Sequence, residues 1–280
     1  MGVGYYLLIN SITSQGSILF LFIKIIHFVL SGKGLIINYT VNMILCKSIT
    51  FLLSCFTRLS FWLTTFVSVE RACVTIYPNG MWIKKPQVAT SIIIFTILFI
   101  FGLHSHELIY YNVVPDPKYT KNGAWCVTQY DKQVSVYNQA ITIFNYIIPC
   151  LINFISVLIL ILVFARKRAN TNRQQSYIKV FQQQLQQHKE LFIPSAFIIL
   201  SALPQLIISF SLACTGFLDI PWQRYLVIAA YFLSYLPQMT NYILFILPSV
   251  LYKTEFDCTL LGQMLKKFKK LFCTFLGQKQ

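Results

Sequence analysis

Residues 46–78 read CKSITFLLSCFTRLSFWLTTFVSVERACVTIYP, and this stretch decides the fold. A cysteine opens it, and 71 − 46 = 25 positions later stands Arg71, preceded by Glu70. In an α-helix that separation covers roughly 37 Å at about 1.5 Å per residue, more than the roughly 30 Å of bilayer hydrocarbon. Between its ends the run is mainly apolar, with Arg58 as an interior charge. Such a run crosses a membrane, with Cys46 at one face and Glu70–Arg71 at the other. Pro78 follows seven residues after Arg71, next to Tyr77.

The rest of the 280-residue chain agrees. It is 56% hydrophobic and only 11% charged, too few charges to cover a water-soluble surface. Six stretches reach span length: roughly 5–31, 43–74, 88–111, 137–165, 190–214 and 224–248. The net charge of +15 is concentrated at Lys84–Lys85, at 166–189 and in the tail from Lys253, between or after apolar runs. Cytoplasmic loops carry such an excess, so these segments face the cytoplasm and the charge does not point to nucleic acid. Cys46 then lies on the outer side. The eight cysteines show no CxxC pair and no metal-ligand spacing, so no metal or cofactor is expected.

The end of the chain reads differently. Residues 255–280 alternate Leu, Phe and Lys at helical spacing, as in Leu265-Lys266-Lys267-Phe268-Lys269-Lys270-Leu271-Phe272. This pattern predicts a helix lying in the membrane plane with its lysines toward anionic lipid, beside a bundle formed by 1–254. Cys273 is placed for palmitoylation, with an unmodified apolar-face cysteine as the alternative.

A cysteine at the outer end of a span, an acidic-Arg pair 25 residues on and a proline seven beyond resemble the third helix of rhodopsin-like G-protein-coupled receptors. The resemblance extends to prolines in later helices, here Pro149, Pro204 and Pro248, and to a membrane-parallel C-terminal helix. It implies an all-α transmembrane bundle with six of the family's seven spans, helices two to seven. It also implies a disulfide from Cys46 to Cys126, and a G-protein coupling role for Arg71, paired at rest with Glu70. The pattern falls on the second apolar stretch instead of the third, so a further upstream helix is expected.

The chain departs from the family where Ala72 replaces an aromatic residue, where Ser201-Ala202-Leu203-Pro204 lacks a tryptophan, and where Leu247-Pro248 lacks an asparagine. With Asn10 taken as the preceding polar mark, Gln15 takes the place of the second-helix acid, so no allosteric sodium site is expected.

Arg58 is read either as a ligand contact or as a residue bonded only to its own bundle, since a charge at that depth faces inward. His104, His106 and Glu107 resemble metal ligands, but on one continuous helix rings two residues apart diverge, so a structural role is expected. Asn38-Tyr39-Thr40 is a glycosylation sequon on the outer side. No helix centre holds Asp or Glu and the last two spans lack lysine, which argues against amines and retinal and leaves a peptide as the preferred ligand.

The expectation is therefore a multi-pass plasma-membrane receptor, not an enzyme, whose partners are an extracellular ligand, a heterotrimeric G protein and membrane lipid. The alternatives are an inactive receptor remnant and a transporter or channel subunit. The helices are too apolar for a permeation path, and an intramembrane enzyme would need clustered His, Asp or Glu at membrane depth.

Overall fold

The computed structural model describes residues 2–36, 38–77, 85–115 and 124–171, with 200–201, 203–204, 207, 229, 232–236 and 238–239. Its elements are helices α1 (Gly2–Gly32), α2 (Tyr39–Ile76), α3 (Pro86–His104), α4 (Glu107–Tyr110) and α5 (Lys132–Thr171), with strands β1 (Tyr111–Pro115) and β2 (Ala124–Thr128) between α4 and α5. Four segments are long and apolar enough to cross a membrane: Val3–Gly32, Tyr39–Ile76, Pro86–Tyr110 and Lys132–Val163. They correspond to the first four predicted spans. Most of the fifth and sixth, all of 255–280, and Pro78, Pro248 and Cys273 lie outside the described residues.

Local chemistry sets the helix ends. Gly34 adopts φ 68°, and Leu35 N–H reaches back to Leu30 C=O at 3.0 Å, the left-handed stop that suits glycine after α1. Asn38 caps α2, its side-chain oxygen accepting from the amides of Thr40 and Val41. Pro86 opens α3, where a missing N–H costs nothing. Pro149 sits inside α5, as predicted for a membrane helix; the Thr65 hydroxyl of α2 lies 3.0 Å from its carbonyl.

α2 is the hub. Leu59, Leu63 and Val67 pack with Tyr6 of α1 and with Ala89 and Ile93 of α3. Leu53 packs with Leu21 and with Tyr235 from the helical stretch 232–236. Phe61 stacks obliquely on Tyr146 of α5.

Two expectations need correction. The fold is not purely α: β1 and β2 form an antiparallel hairpin with Val113 opposite Cys126. The predicted 88–111 span is not one helix either. α3 stops at His104, the chain turns at Ser105–His106, and Tyr111 is already extended. The break is slight: Ser105 and His106 keep right-handed helical dihedrals, and the three-residue spacing that joins His104 to Glu107 is the one a helical turn provides.

Candidate functional site

At one end of the bundle, Cys46 at the start of α2 and Cys126 in β2 form a disulfide, with Cα atoms 5.8 Å apart. It ties the hairpin to the head of α2. Around it, Lys47 Nζ donates to Ile109 C=O, and the Ser31 hydroxyl donates to Ala124 C=O. Ser31 in turn accepts from Asn42, whose carbonyl oxygen lies 2.7 Å from His27 Nε2. Hairpin, α1 and α2 are thus knit at one end of the bundle.

Beneath the hairpin, α2, α3–α4 and α5 enclose a charged cluster. Arg58, 8% exposed, donates from Nη1 to its own helix at Ser54 C=O and lies 5.8 Å over the Tyr146 ring. Its Nε has no hydrogen-bond partner among the described residues. Glu107, 3% exposed, is near enough to interact electrostatically with Arg58, yet no ion pair joins them. Its Oε1 is held by His104 Nδ1 at 3.0 Å, and its Oε2 carries no hydrogen bond among the described residues.

The tautomer of His104 follows from its neighbours. Asn145 Nδ2 approaches His104 Nε2 at 3.4 Å, while Asn145 Oδ1 accepts from Trp62 Nε1. The amide therefore offers an N–H to Nε2, and the imidazole proton sits on Nδ1, directed at Glu107. Arg58 is consequently the countercharge available to Glu107 in this cluster.

The broken helix also alters the histidine pair. His104 and His106 rings stand 6.1 Å apart instead of on opposite faces, as a continuous helix would have placed them. Both are engaged by protein: His106 through Leu103 C=O and Asn138, His104 through Glu107 and Asn145. No metal-type cluster occurs among the described residues.

At the opposite end of α2 lie Glu70 and Arg71. Glu70 is 5% exposed and Arg71 half-buried. The expected pair between them is not formed: Glu70 Oε1 accepts from the Val3 backbone N–H at 3.0 Å, and the ion pair among the described residues is His104–Glu107. Neighbouring helix positions point about 100° apart, so a buried Glu70 leaves Arg71 facing elsewhere.

Gln15 also departs from expectation. It is exposed on α1, so it does not stand in for the inward acid. Ser14 and Ser17 face α2 at that depth, bonded to Ser60 and Thr57. Because the Ser60 proton serves Asn10 Oδ1 and the Thr57 proton serves Leu53 C=O, Ser14 and Ser17 are the donors.

Of the other residues singled out from sequence, Pro204 lies in a short helical stretch and Asn38 is exposed but engaged as a cap. Sequence reasoning missed the inward carboxylate of Glu107, the amide of Asn145 and the Asn10–Ser14–Ser17 row. The row had a signal, since steps of four and three keep these side chains on one helical face and Thr57, Ser60 and Thr64 repeat it on α2. Glu107 had only its i,i+3 spacing from His104, which lets the two pair on a helical turn but does not say that they face inward.

The model of the seven-transmembrane receptor (rhodopsin family) matches residues 16–245, most of the chain. The protein therefore belongs to the rhodopsin family of seven-transmembrane receptors, multi-pass membrane proteins whose general activity is G-protein-coupled signalling. No curated protein matches the chain.

Proposed function

We propose that this chain is a plasma-membrane receptor that transduces binding of an extracellular ligand, preferably a peptide, to a heterotrimeric G protein. Membership of the receptor family carries the reading, and Arg71 supports it as the coupling residue. It stands half-buried at the cytoplasmic end of the 38-residue α2, without an ion pair among the described residues. Arg58 is the proposed ligand contact, with an unpartnered donor beneath the disulfide-tied hairpin. Glu107 does not favour an amine, because His104 holds one carboxylate oxygen and Arg58 lies within range as countercharge. The segment 255–280 is proposed as a lipid-facing helix anchored through Cys273, and Asn38 as a glycan acceptor.

The test is ligand-independent G-protein activation in cells expressing the full chain, compared with Arg71→Ala. We expect basal activation in the parent and a loss of about tenfold in the variant, within the usual range of coupling free energies, at equal surface level. Undiminished signalling from Arg71→Ala would reduce Arg71 to an interfacial anchor.

A further inference from the structure

Two buried atoms of the charged cluster keep hydrogen-bonding capacity that the described residues leave unused. Arg58 Nε–H is a donor without an acceptor, and Glu107 Oε2 is an acceptor without a donor. Both side chains are more than nine-tenths buried. A buried charged group left short of a hydrogen bond is costly, and the exceptions that native structures tolerate gather where there is a role for them.

The two atoms belong to one place. Ser54 of α2 takes Arg58 Nη1 at its carbonyl, and its side chain also lies against the Glu107 carboxylate. His104 holds the other Glu107 oxygen. Tyr146 lies under the guanidinium, with Phe61 packed on its ring.

Charge then selects the chemistry. An anion that meets Arg58 brings a like charge to Glu107, and a cation that meets Glu107 brings one to Arg58. A zwitterion meets both only by giving up the hydration of two further charges. A neutral group that accepts from Nε–H and donates to Oε2 serves both atoms and buries no new charge. A primary carboxamide does so from one edge, where its C=O and one N–H lie side by side. In a trans peptide bond these two groups point apart.

We propose that Arg58 and Glu107 form a receiving site for a primary carboxamide of the extracellular ligand, as at an amidated peptide terminus or an Asn or Gln side chain. The carboxamide oxygen accepts from Arg58 Nε, and its N–H donates to Glu107 Oε2. The site rests on the reading of Arg58 as the ligand contact and gives that contact its chemistry.

Four probes share a phenyl ring suited to Tyr146 and Phe61 and differ in polar group: phenylacetamide, phenylacetate, phenethylamine and zwitterionic phenylalanine. Dose-dependent thermal stabilisation of the full chain in detergent gives an apparent affinity for each. Phenylacetamide should bind the parent at least about tenfold more tightly than any of the charged probes, since a like charge at a buried contact is costly. Glu107→Gln should close that gap for phenylacetate, and Arg58→Gln should close it for phenethylamine. Where Arg58→Gln fails to fold, Arg58→Lys keeps the charge but lacks the Nε donor, so it should weaken phenylacetamide and leave the ions unchanged.

A charged probe that binds the parent as tightly as phenylacetamide, or no stabilisation by any probe, would overturn the proposal. So would an amide preference that survives in Glu107→Gln and in the Arg58 variants. The receptor reading fails separately. The expected probe order in a parent without basal G-protein activation upholds the site and retires that reading, whereas basal activation without the probe order retires the site alone.

Discussion

α2 meets α1 through a polar seam as well as apolar contacts, but meets α3 through apolar contacts. Against α1 it presents Thr57, Ser60 and Thr64, which bond side chain to side chain with Ser17, Ser14 and Asn10. Against α3 it presents Leu59, Leu63 and Val67, which meet Ala89 and Ile93, while Phe51 and Phe56 meet Phe101 edge to face. The buried α3 hydroxyl, Thr96, turns back to its own Ile92 carbonyl. Lipid tails are as apolar as leucine, so side-chain burial gives helices in a bilayer little net attraction. Small polar residues allow close approach and fix a register, whereas apolar faces rely on dispersion alone. Among the described residues α3 has no such ladder and is secured instead at its hairpin end, by His104–Glu107–Asn145 and by the disulfide-tied hairpin that follows it.

The strongest way to break this contrast is to cut the outer tether. Cys46→Ser opens a link across 80 residues, which the chain-entropy account values on the order of 4 kcal/mol. We expect most of the protein to be lost from the cell surface, and thermal unfolding in detergent to become insensitive to reductant. Unchanged surface expression and melting would show that α3 and the hairpin hold without it.

The ladder should respond next. Asn10→Leu removes two interhelical hydrogen bonds, to Thr64 and from Ser60, and should destabilise by about 1–2 kcal/mol. The measure is the unfolding midpoint in detergent, and a neutral or stabilising result would remove the polar seam from the account. The smallest effect belongs to α3. Thr96→Val keeps the shape and deletes only an intrahelical bond, so it should fall below the about 0.6 kcal/mol average for an interhelical bond. A Thr96→Val loss equal to that of Asn10→Leu would erase the difference between the two faces.

These contacts were unequally legible in sequence. The spans of α1, α2 and α5 follow from apolar run length, which depends on bilayer thickness and needs no knowledge of neighbours. The helices run one to six residues beyond those spans, because Asn38 capping and the long polar extensions of α5 lie outside the hydrophobic window. The outer position of Cys46 and Cys126 came from loop charge, and their pairing from the resemblance. The outward turn of Gln15 had no comparable signal, and Glu107 had only its i,i+3 spacing from His104.

What the sequence determined by itself is what a local rule can read. It determined the membrane class, the first spans, and the spacing of Cys46, Glu70–Arg71 and Pro78 that resembles a receptor's third helix. Tertiary structure alone decided which partner each buried polar atom takes. Glu70 has Arg71 as its chain neighbour and Val3 as its hydrogen-bond donor, because adjacent helical residues point about 100° apart while α1 runs alongside α2 and brings the Val3 amide within reach. Glu107 reaches His104 by the i,i+3 spacing that a helical turn provides, but the field of Arg58 comes from another helix, which no window of sequence contains.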